Sequence, residues 1–525
     1  MDRFKSDRIK KLLWIIPSII AFLIALIPTL TNQWPLTLDI FWHIRIAEVY
    51  SQYGFTLIDP LVNPPSGTPI GYPPIFAYLI VFLGSLLKIN YFQVAKLIQP
   101  FMAFFSVLSV SYVAKKLYGD IAGISAGFLI ISSYLFSRLL SPLPETLALI
   151  FVPLVVYLYY RAVVSKNYKY AVLSSFLFLI VILTHEETTL LIFSIITSIT
   201  IVVGIIKREK SFLMSYALFL SVPVIATLIL YIAALVTDPV FANKVIAIVA
   251  GYITPLPFSD PISIFKYIAY LGITLIFAIA GSIVAFKRRN CKDLFIIVWI
   301  LVVFIVSISY LIGVHVYTIR LLIHLLLPLT IIGGFGLSYL YLDYKKTEFP
   351  SKSVRNIFLI AIFLIATLLA ISTVTITNFQ NTPNYNTQPF GTSDMTIPQI
   401  APPTNSDTDL AAWFNKYGDK KSVVISNNYE TNQFILTFTG QPIADVLSSE
   451  HVIMWGFRTS ELAQKNIGYF VFDKRLTFTT NSSQVISHGA FIYFNKNDNI
   501  TSILPSNLKL IYENQNYMVF RVYPG

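Results

Sequence analysis

The sequence is poor in cysteine and in charge: among 525 residues there is a single cysteine, Cys291, and 12% of positions are charged. One cysteine excludes a disulfide within the chain and a metal site built from thiolates, which leaves carboxylates and histidines as metal ligands. So small a charged fraction could not cover the surface of a water-soluble fold of this length. We therefore expect a chain whose surroundings are largely lipid.

Hydrophobic residues take the place of the missing charges, at 55% of positions and with a mean hydropathy of +0.69. A run of about 20 apolar residues can cross the roughly 30 Å hydrocarbon core of a bilayer as a helix. Twelve candidate runs occur, at about 12–30, 71–88, 93–114, 121–137, 145–161, 169–184, 188–206, 213–236, 263–286, 294–312, 319–342 and 355–376. The sequence thus predicts a polytopic integral membrane protein, which we expect in the plasma membrane with the lipid bilayer as a partner.

The formal net charge of +12 would suit a nucleic-acid partner, but the positions of the basic residues explain it otherwise. Of the 38 lysines and arginines, 21 fall into six clusters, at 3–11, 115–116, 161–169, 207–210, 287–292 and 345–355. Basic clusters beside membrane spans mark the cytoplasmic side. We therefore expect no nucleic-acid partner.

The same clusters decide which runs cross the membrane. If all twelve cross, the N-terminal cluster and Lys115-Lys116 lie on opposite sides; if the run at 71–88 does not cross, every cluster is cytoplasmic. This gives eleven crossings, a cytoplasmic N-terminus and an external C-terminus. The Pro-rich start of 71–88 suits a helix in the outer interface. The alternative is that 71–88 is an ordinary span and that another span has been overlooked.

Composition divides the chain into three parts. Residues 1–376 form the predicted transmembrane domain, 377–406 an Asn/Thr/Pro-rich linker and 407–525 an extracytoplasmic soluble domain of α/β type. The basic and then apolar N-terminus lacks a small-residue cleavage site, so we interpret it as the first span and not as a signal peptide. In the soluble domain we predict helices at 407–417 and 460–465 and strands at 422–426, 467–472 and 490–495.

Residues capable of chemistry gather at the predicted outer ends of the spans. Asp39 and His43 lie one helical turn apart after the first span, and Glu145 begins a later span seven residues after Arg138. Asp39 could be a metal ligand, a base or simply a helix N-cap. Glu145 could be functional or a favourable partner of the helix dipole. Charged groups are costly at membrane depth, which favours a function for the Arg138 and Glu145 pair.

Three further outer segments carry polar residues. His185 and Glu186 form a turn that is either a set of ligands or an exposed tight loop. Asp260 lies in the largest external loop of the membrane part. Arg320 opens a later span, where its guanidinium either reaches the outer surface or binds a lipid phosphate through its fork of donors.

Four segments, in order, resemble the catalytic subunit of oligosaccharyltransferases and, more broadly, the GT-C class of polyprenyl-phosphate-dependent glycosyltransferases. Residues 39–45 are similar to the family's Asp-Pro-aromatic-aromatic-His/Asn-x-Arg motif. The other three segments are 95–145, which ends in an Arg seven residues before an acid, the loop that contains Asp260, and 319–334. The resemblance covers most of 10–345. It implies a membrane all-α fold of about eleven transmembrane helices, with interfacial helices in the first outer loop, followed by the α/β domain.

The resemblance also implies a function. Such enzymes move a sugar or oligosaccharide from a polyprenyl (dolichyl-type) phosphate or pyrophosphate to a protein or glycan acceptor on the outer face. A divalent cation, Mg²⁺ or Mn²⁺ by ligand hardness, would be held by Asp39, Glu145 and Asp260, with Asp39 and Glu145 as the catalytic acids. Arg320 would bind the donor phosphate, together with Arg138, which would also orient the acids.

We expect four further residues at the predicted outer ends of the spans to contact substrate, namely His43, Arg45, His185 and Glu186.

Two departures from the family pattern keep other functions open. The position of the family's second acid is Leu147, and its Trp-Trp-Asp-Tyr-Gly signature is replaced by residues 427–431, Asn-Asn-Tyr-Glu-Thr. These changes favour transfer of one sugar from a lipid monophosphate to a glycan or lipid, or a catalytically inactive scaffold. A transporter or flippase of lipid-linked sugars is a further alternative, but it would place its acids nearer the middle of the spans.

Overall fold

The computed structural model describes residues 12–237, 262–314, 316–343, 352–376, 403–478, 485–488, 491–495 and 497–523. These residues form two compact units, which we call the helical unit and the sheet unit. The helical unit contains the described residues among 1–31, 72–75 and 97–377, and the sheet unit those among 32–71, 76–96 and 378–525. Both units are discontinuous in sequence, whereas the predicted domains are continuous.

The helical unit consists of helices that follow the apolar runs of the sequence. Its helices are α1 (Ile16–Thr31), α4 (Tyr91–Tyr118, from residue 97), α5 (Asp120–Ser132), α6 (Phe136–Leu139), α7 (Pro144–Ser165), α8 (Lys169–Ile182), α9 (Glu186–Lys207), α10 (Ser211–Thr237), α11 (Ile264–Leu271), α12 (Ile273–Arg288), α13 (Cys291–Ser307), α14 (Thr318–Asp343) and α15 (Lys352–Ile376). Short 3₁₀ turns precede α1 and follow α13, at Leu13–Ile15 and Ser309–Ile312.

Seven helices of the described residues are long and apolar enough to cross a membrane, and the bent pair α11 and α12, at 96°, makes an eighth candidate. The chain is therefore an integral membrane protein by the length and composition of these helices. A helix coincides with each of the eleven runs predicted to cross, but α5, α8 and α13 are too short to be counted by this measure. The crossing number of eleven remains a prediction.

Close helix packing in the helical unit depends on glycine. A Cβ atom at Gly281 of α12 would lie 2.1 Å from the carbonyl oxygen of Ile332 in α14. A Cβ atom at Gly336 would lie 2.4 Å from the carbonyl oxygen of Phe277. Both contacts are with backbone, so no side-chain rotation could relieve them. Small residues at a helix interface let the two backbones come close together, as is common in membrane proteins.

The sheet unit mixes helices and strands. Its elements are α2 (Ile40–Tyr53), β1 (Ile58–Asp59), β2 (Thr68–Pro69), α3 (Ile75–Leu87, from residue 76), α16 (Asn405–Tyr417), β3 (Val423–Ser426), α17 (Tyr429–Thr439), α18 (Val446–Met454), α19 (Thr459–Gln464), β4 (Ile467–Asp473), β5 (Thr477–Phe478), β6 (Ile486–His488), β7 (Phe491–Asn495), α20 (Ile500–Ile503), β8 (Leu508–Glu513) and β9 (Tyr517–Val522). Helix α3, which covers the run at 71–88, has 13 residues and is about 20 Å long, too short to cross a bilayer.

A mixed four-stranded sheet forms the core of the sheet unit. Its strand order is β3-β4-β9-β8, with β3 parallel to β4 and the other pairs antiparallel. Alternate residues of β4 enter different apolar clusters: Phe470 and Phe472 pack on one face, and Tyr469 and Val471 on the other. Because both faces are covered, β4 is buried at every position and is apolar from Tyr469 to Phe472, before it ends at Asp473. A second sheet has the order β5-β7-β6.

The segment after the first span belongs to the sheet unit because it bonds to the C-terminal residues. The Thr437 hydroxyl of α17 donates a hydrogen bond to the carbonyl oxygen of Phe41 at 3.0 Å. The Phe41 ring lies 5.0 Å from that of Phe434. The backbone N–H of Asn63 donates to the carbonyl oxygen of Ile443 at 2.8 Å. These contacts join residues that are far apart in the sequence.

The elements predicted in the C-terminal part are all present. Helices α16 and α19 and strands β3, β4 and β7 lie within a few residues of the predicted bounds. Within the described residues the fold adds seven elements that the sequence did not indicate, namely α17, α18, β5, β6, α20, β8 and β9. The part of the C-terminal region that the structure describes therefore contains both helices and a sheet, as predicted.

Candidate functional site

A buried ion pair lies at the start of α7 in the helical unit. Arg138 is in the short helix α6, and a Pro-rich turn leads from it to Pro144, the first residue of α7, and Glu145. Nη2 of Arg138 lies 2.6 Å from Oε2 of Glu145, and each side chain is 7% exposed. The other carboxylate oxygen, Oε1 of Glu145, is buried and has no hydrogen-bond partner within the described residues. Breaking such a pair by removing one partner costs about 3–5 kcal/mol.

Two histidines are joined through one threonine next to this pair. His185 is the N-cap of α9, and its Nδ1 accepts a hydrogen bond from the backbone N–H of Thr188 at 3.3 Å. The Thr188 hydroxyl lies 2.9 Å from Nδ1 of His185 and 3.0 Å from Nε2 of His324. Nδ1 of His324 in turn lies 3.0 Å from the carbonyl oxygen of Arg320. This chain of bonds connects the start of α9 to α14.

Burial determines the state of His185. It lowers the pKa of this imidazole to about 4, so the ring is neutral near pH 7 and can accept the capping hydrogen bond. His185 is 2% exposed, which rules out the alternative of an exposed loop at this turn. The N-cap position is usually taken by Ser, Thr, Asp or Asn, so a histidine here is unusual.

Arg320 reaches the same group of residues. Its Nη1 lies 3.9 Å from Oε2 of Glu187, and its guanidinium lies 4.9 Å from the ring centre of Tyr317. The charge of Arg320 acts on Glu145 and on Glu186. Its side chain is 27% exposed, so it is partly accessible to a ligand.

Tyr72 completes this group. Its ring centre lies 6.3 Å from that of His185. Burial, together with the nearby charge of Glu186, raises the pKa of its phenol well above the usual value. Tyr72 therefore stays a neutral hydroxyl that can donate a hydrogen bond.

We call these residues of the helical unit the Arg–Glu cluster; they are Tyr72, Arg138, Glu145, His185, Glu186, Glu187, Thr188, Arg320 and His324. The structure thus brings together five predicted residues from three separate segments. Thr188 and His324 were missed by sequence reasoning. Both occur at helical spacing from a predicted residue, Thr188 three after His185 and His324 four after Arg320, and that spacing is the signal that could have found them.

The remaining predicted residues with described positions lie in the sheet unit. Asp39 occupies the N-cap position of α2, but its side chain makes no capping hydrogen bond. It bonds instead to the side chain of Glu430. His43 is buried with its ring 5.6 Å from that of Phe76. Helix capping therefore does not explain Asp39.

Arg45 is held by acids of its own unit. Its Nε and Nη2 donate to the two carboxylate oxygens of Asp59, both at 2.8 Å. Its Nη1 lies 3.4 Å from Glu48. A bidentate buried pair of this kind fixes the position of both side chains. Substrate contact by Arg45 remains a prediction.

A second charged network surrounds Glu430. Arg475 donates to Asp473 at 2.8 and 2.7 Å and lies 3.2 Å from Asp407. The Tyr517 hydroxyl bonds to Asp407. Burial, together with the nearby Asp39 carboxylate, raises the pKa of Glu430 well above its usual value. This network is a feature that the sequence did not predict.

The described residues contain no group of three or more His, Cys, Asp or Glu side chains arranged to hold a metal ion. Asp260 lies outside the described residues, and Asp39 and Glu145 belong to different units. The three-ligand site for Mg²⁺ or Mn²⁺ therefore remains a prediction. Three buried carboxylate oxygens have no hydrogen-bond partner within the described residues, namely Oε1 of Glu145, Oε2 of Glu186 and Oε2 of Glu430. Such oxygens are ligands of the kind that hard divalent cations prefer.

Comparison with solved structures shows what this architecture resembles. AglB, the oligosaccharyltransferase of Archaeoglobus fulgidus in complex with an inhibitory peptide and a dolichol-phosphate, superposes with a TM-score of 0.61 at 14% identity over 90% of this chain and 70% of AglB. ArnT from Cupriavidus metallidurans bound to undecaprenyl phosphate gives 0.61 at 10% identity over 97% of both chains. The arabinofuranosyltransferase AftD from Mycobacteria gives 0.51 at 12% identity over 97% of this chain and 41% of AftD. No protein-family model and no curated protein sequence matches.

These neighbours are all glycosyltransferases of the GT-C fold. The chain accordingly has the GT-C fold, as the sequence motifs predicted. At 10–14% identity, the similarity concerns the fold, and the activity has to be argued from the residues of this chain.

Proposed function

We propose that this protein is a membrane glycosyltransferase that moves a sugar or oligosaccharide from a polyprenyl (dolichyl-type) phosphate or pyrophosphate to an acceptor on the outer face of the membrane. The observation that carries the proposal is the Arg–Glu cluster at the ends of apolar helices. Buried ionisable groups are costly beside a bilayer and are kept where they have a function. The solved GT-C structures that bind a lipid phosphate support the same class of donor.

The residues of the Arg–Glu cluster suit an anionic donor. Arg320 is partly accessible and would bind the donor phosphate, sharing the negative charge that develops as the sugar departs. Arg138 forms an ion pair with Glu145 and would orient that carboxylate. The neutral His185 and Tyr72 can donate hydrogen bonds to phosphate or sugar oxygens.

A divalent cation is part of the proposal. Mg²⁺ or Mn²⁺ would neutralise the phosphate oxygens, and Glu145, Asp39 and Asp260 are the oxygen ligands that the resemblance assigns to it. Asp39, whose side chain is not used for helix capping, would accept the proton of the acceptor nucleophile. His43, Arg45 and Glu186 would contact substrate.

The acceptor is the less determined partner. A protein acceptor is supported by a structure of the Archaeoglobus fulgidus oligosaccharyltransferase tethered to an acceptor peptide, while the replacement of the family signature at 427–431 favours a glycan or lipid. An inactive scaffold is the alternative favoured by Leu147, which has no carboxylate.

A transfer assay tests the proposal. Purified protein in liposomes would be given radiolabelled polyprenyl-phosphate and pyrophosphate sugars with peptide and glycan acceptors. Glu145→Gln and Arg320→Gln should lower transfer by about 10²–10³-fold, as loss of one charge-stabilising group does. Glu209→Gln and Arg289→Gln, both exposed at helix ends, are matched controls and should transfer as the wild type does.

Other outcomes would overturn the proposal. Equal transfer by wild type and both cluster variants would show that the site is elsewhere. Absence of transfer with every donor would favour the scaffold, and movement of the intact lipid-linked sugar across the bilayer would favour the transporter.

A further inference from the structure

Two carboxylates meet in the sheet unit. Asp39 precedes α2 and Glu430 lies in the first turn of α17, and their side chains are hydrogen-bonded. Helices α2 and α17 are fixed to each other by the bond from Thr437 to the Phe41 carbonyl oxygen at 3.0 Å and by the Phe41–Phe434 ring contact at 5.0 Å. The fold itself therefore imposes the approach of these two acids.

The local charge does not balance this pair. Among the groups that act most strongly on Glu430, Arg475 is the cation. Arg475 already makes a two-point bond to Asp473 and a contact with Asp407. The charge of Arg475 that acts on Glu430 is therefore shared with two other carboxylates, those of Asp473 and Asp407. Two adjacent carboxylates repel each other when both are ionised, so the pair must either hold a proton between them or bind a cation that replaces it.

Glu430 also has an unused ligand atom. The residue is 8% exposed, and its Oε2 is buried with no hydrogen-bond partner in the described part of the chain. A buried acceptor without a partner costs about 1–3 kcal/mol. A bound cation would remove this cost, since Mg²⁺ is commonly held by one or two carboxylates together with water and substrate phosphate.

We propose that Asp39 and Glu430 together bind a divalent cation, Mg²⁺ or Mn²⁺, so that Glu430 is a metal ligand of this chain. The family pattern offers no acid at the position of Glu430, and the acid that it does expect is absent at Leu147. Glu430 gives Asp39 a second carboxylate from a distant part of the sequence. The inference deepens the proposed function, on which the use of the cation in catalysis rests.

A metal-binding measurement tests the inference apart from activity. The full chain, purified in detergent at about pH 7, would be titrated with Mn²⁺ and the free ion followed by electron paramagnetic resonance. Glu430→Gln and Asp39→Asn keep side-chain size and should each weaken Mn²⁺ binding by at least about 10-fold. Glu450→Gln, on α18 of the same unit, is the control and should bind as the wild type does. Mg²⁺ should displace Mn²⁺ from the wild type.

Two different results would contradict the proposed cation site. Wild-type affinity in the Glu430→Gln variant would show that Glu430 is not a ligand, and a wild type that binds no Mn²⁺ would show that the two acids share a proton instead. Glutamine can still donate a hydrogen bond to Asp39, so the variant should fold; a thermal unfolding midpoint equal to that of Glu450→Gln would confirm this.

The transfer assay separates this inference from the proposed function. If the wild type transfers sugar and Glu430→Gln binds Mn²⁺ as tightly as the wild type, the proposed function stands and only the role of Glu430 as a ligand is wrong. If both acids are needed for Mn²⁺ binding but the protein transfers no sugar, the cation site stands and the proposed function is wrong.

Discussion

At the residue scale, the Thr188 hydroxyl lies between two buried imidazoles. It is 2.9 Å from His185 and 3.0 Å from His324, which are both 2% exposed. A hydroxyl can donate one hydrogen bond while it accepts another, so this one group orients both rings. Because the rings belong to different helices, the hydroxyl also sets the position of His185 relative to Arg320.

Thr188→Val should therefore be destabilising, because valine has the shape of threonine but leaves buried Nε2 of His324 without its hydroxyl partner and Nδ1 of His185 with only the backbone N–H of residue 188. We expect a loss of about 1–3 kcal/mol in the free energy of unfolding, measured as a lower thermal midpoint in detergent. Thr188→Ser retains the hydroxyl and should stay close to the wild type. Equal midpoints for the two variants would show that the bridge has no energetic role.

A second prediction at this scale concerns pH. Burial raises the pKa of Glu48 to about 7, from 4.5. The folded state thus binds the proton more tightly than the unfolded state, so the stability that protonated Glu48 confers is present below about pH 4.5 and is lost as the pH rises to about 7. Glu48→Gln should abolish this pH-dependent loss of stability, because glutamine does not ionise.

The measurement compares thermal midpoints at about pH 5 and about pH 8. The wild type should lose more stability than Glu48→Gln between the two values, and the variant should be the more stable protein at the higher pH. Glu450→Gln serves as the control and should follow the wild type. A variant whose midpoint falls as far as that of the wild type would contradict the assignment.

At the scale of elements, helix packing in the helical unit relies on missing side chains. Gly281→Ala would place a Cβ atom 2.1 Å from the Ile332 carbonyl oxygen, whereas Gly204→Ala would place one 3.4 Å from Cβ of Phe212, an ordinary contact. Both glycines lie within helices, where alanine is intrinsically favoured by about 1 kcal/mol. The two substitutions therefore differ only in the packing around the added Cβ atom.

Gly281→Ala should therefore lower the thermal midpoint, while Gly204→Ala should leave it unchanged or raise it. The destabilisation of the first variant should be about 1–3 kcal/mol, as for overpacking of a close contact. Two equally stable variants would mean that α12 and α14 can separate without cost.

Element prediction from sequence succeeded where one pattern dominated. Strand β4 is apolar from Tyr469 to Phe472 because both of its faces are buried, and α16 has a Thr404–Asp407 capping box. Helix α17 was missed because polar and apolar residues are buried on all of its sides, so it shows no amphipathic period. In the sequence, its N-cap Asn428 and the nearby Glu430 stood out only as members of residues 427–431, which replace the family signature.

At the scale of the whole molecule, the basic clusters predict a topology. Residues 287–292 should be cytoplasmic and the C-terminal region external, as the positive-inside rule requires. The native thiol is a poor reporter, because burial raises the pKa of Cys291 to about 11. A Cys291→Ser background leaves each introduced cysteine as the only thiol of the chain that can be labelled.

In that background, Lys287→Cys and Leu447→Cys would place single thiols at exposed positions. A membrane-impermeant maleimide should label the Leu447→Cys variant in intact cells and the Lys287→Cys variant only after lysis. The reverse pattern would show that the orientation is wrong, and labelling of both in intact cells would show that the number of crossings is even between these two positions.

The sequence by itself determined that this is a membrane protein of many apolar helices, because hydrophobic length acts locally and needs no partner. It also determined the GT-C fold, through motifs whose residues lie close together in the chain. Only the tertiary structure decided which charged groups meet. Side-chain spacing defines a face within one element, whereas the contacts between His185 and His324 through Thr188, and between Asp39 and Glu430, depend on how distant elements pack.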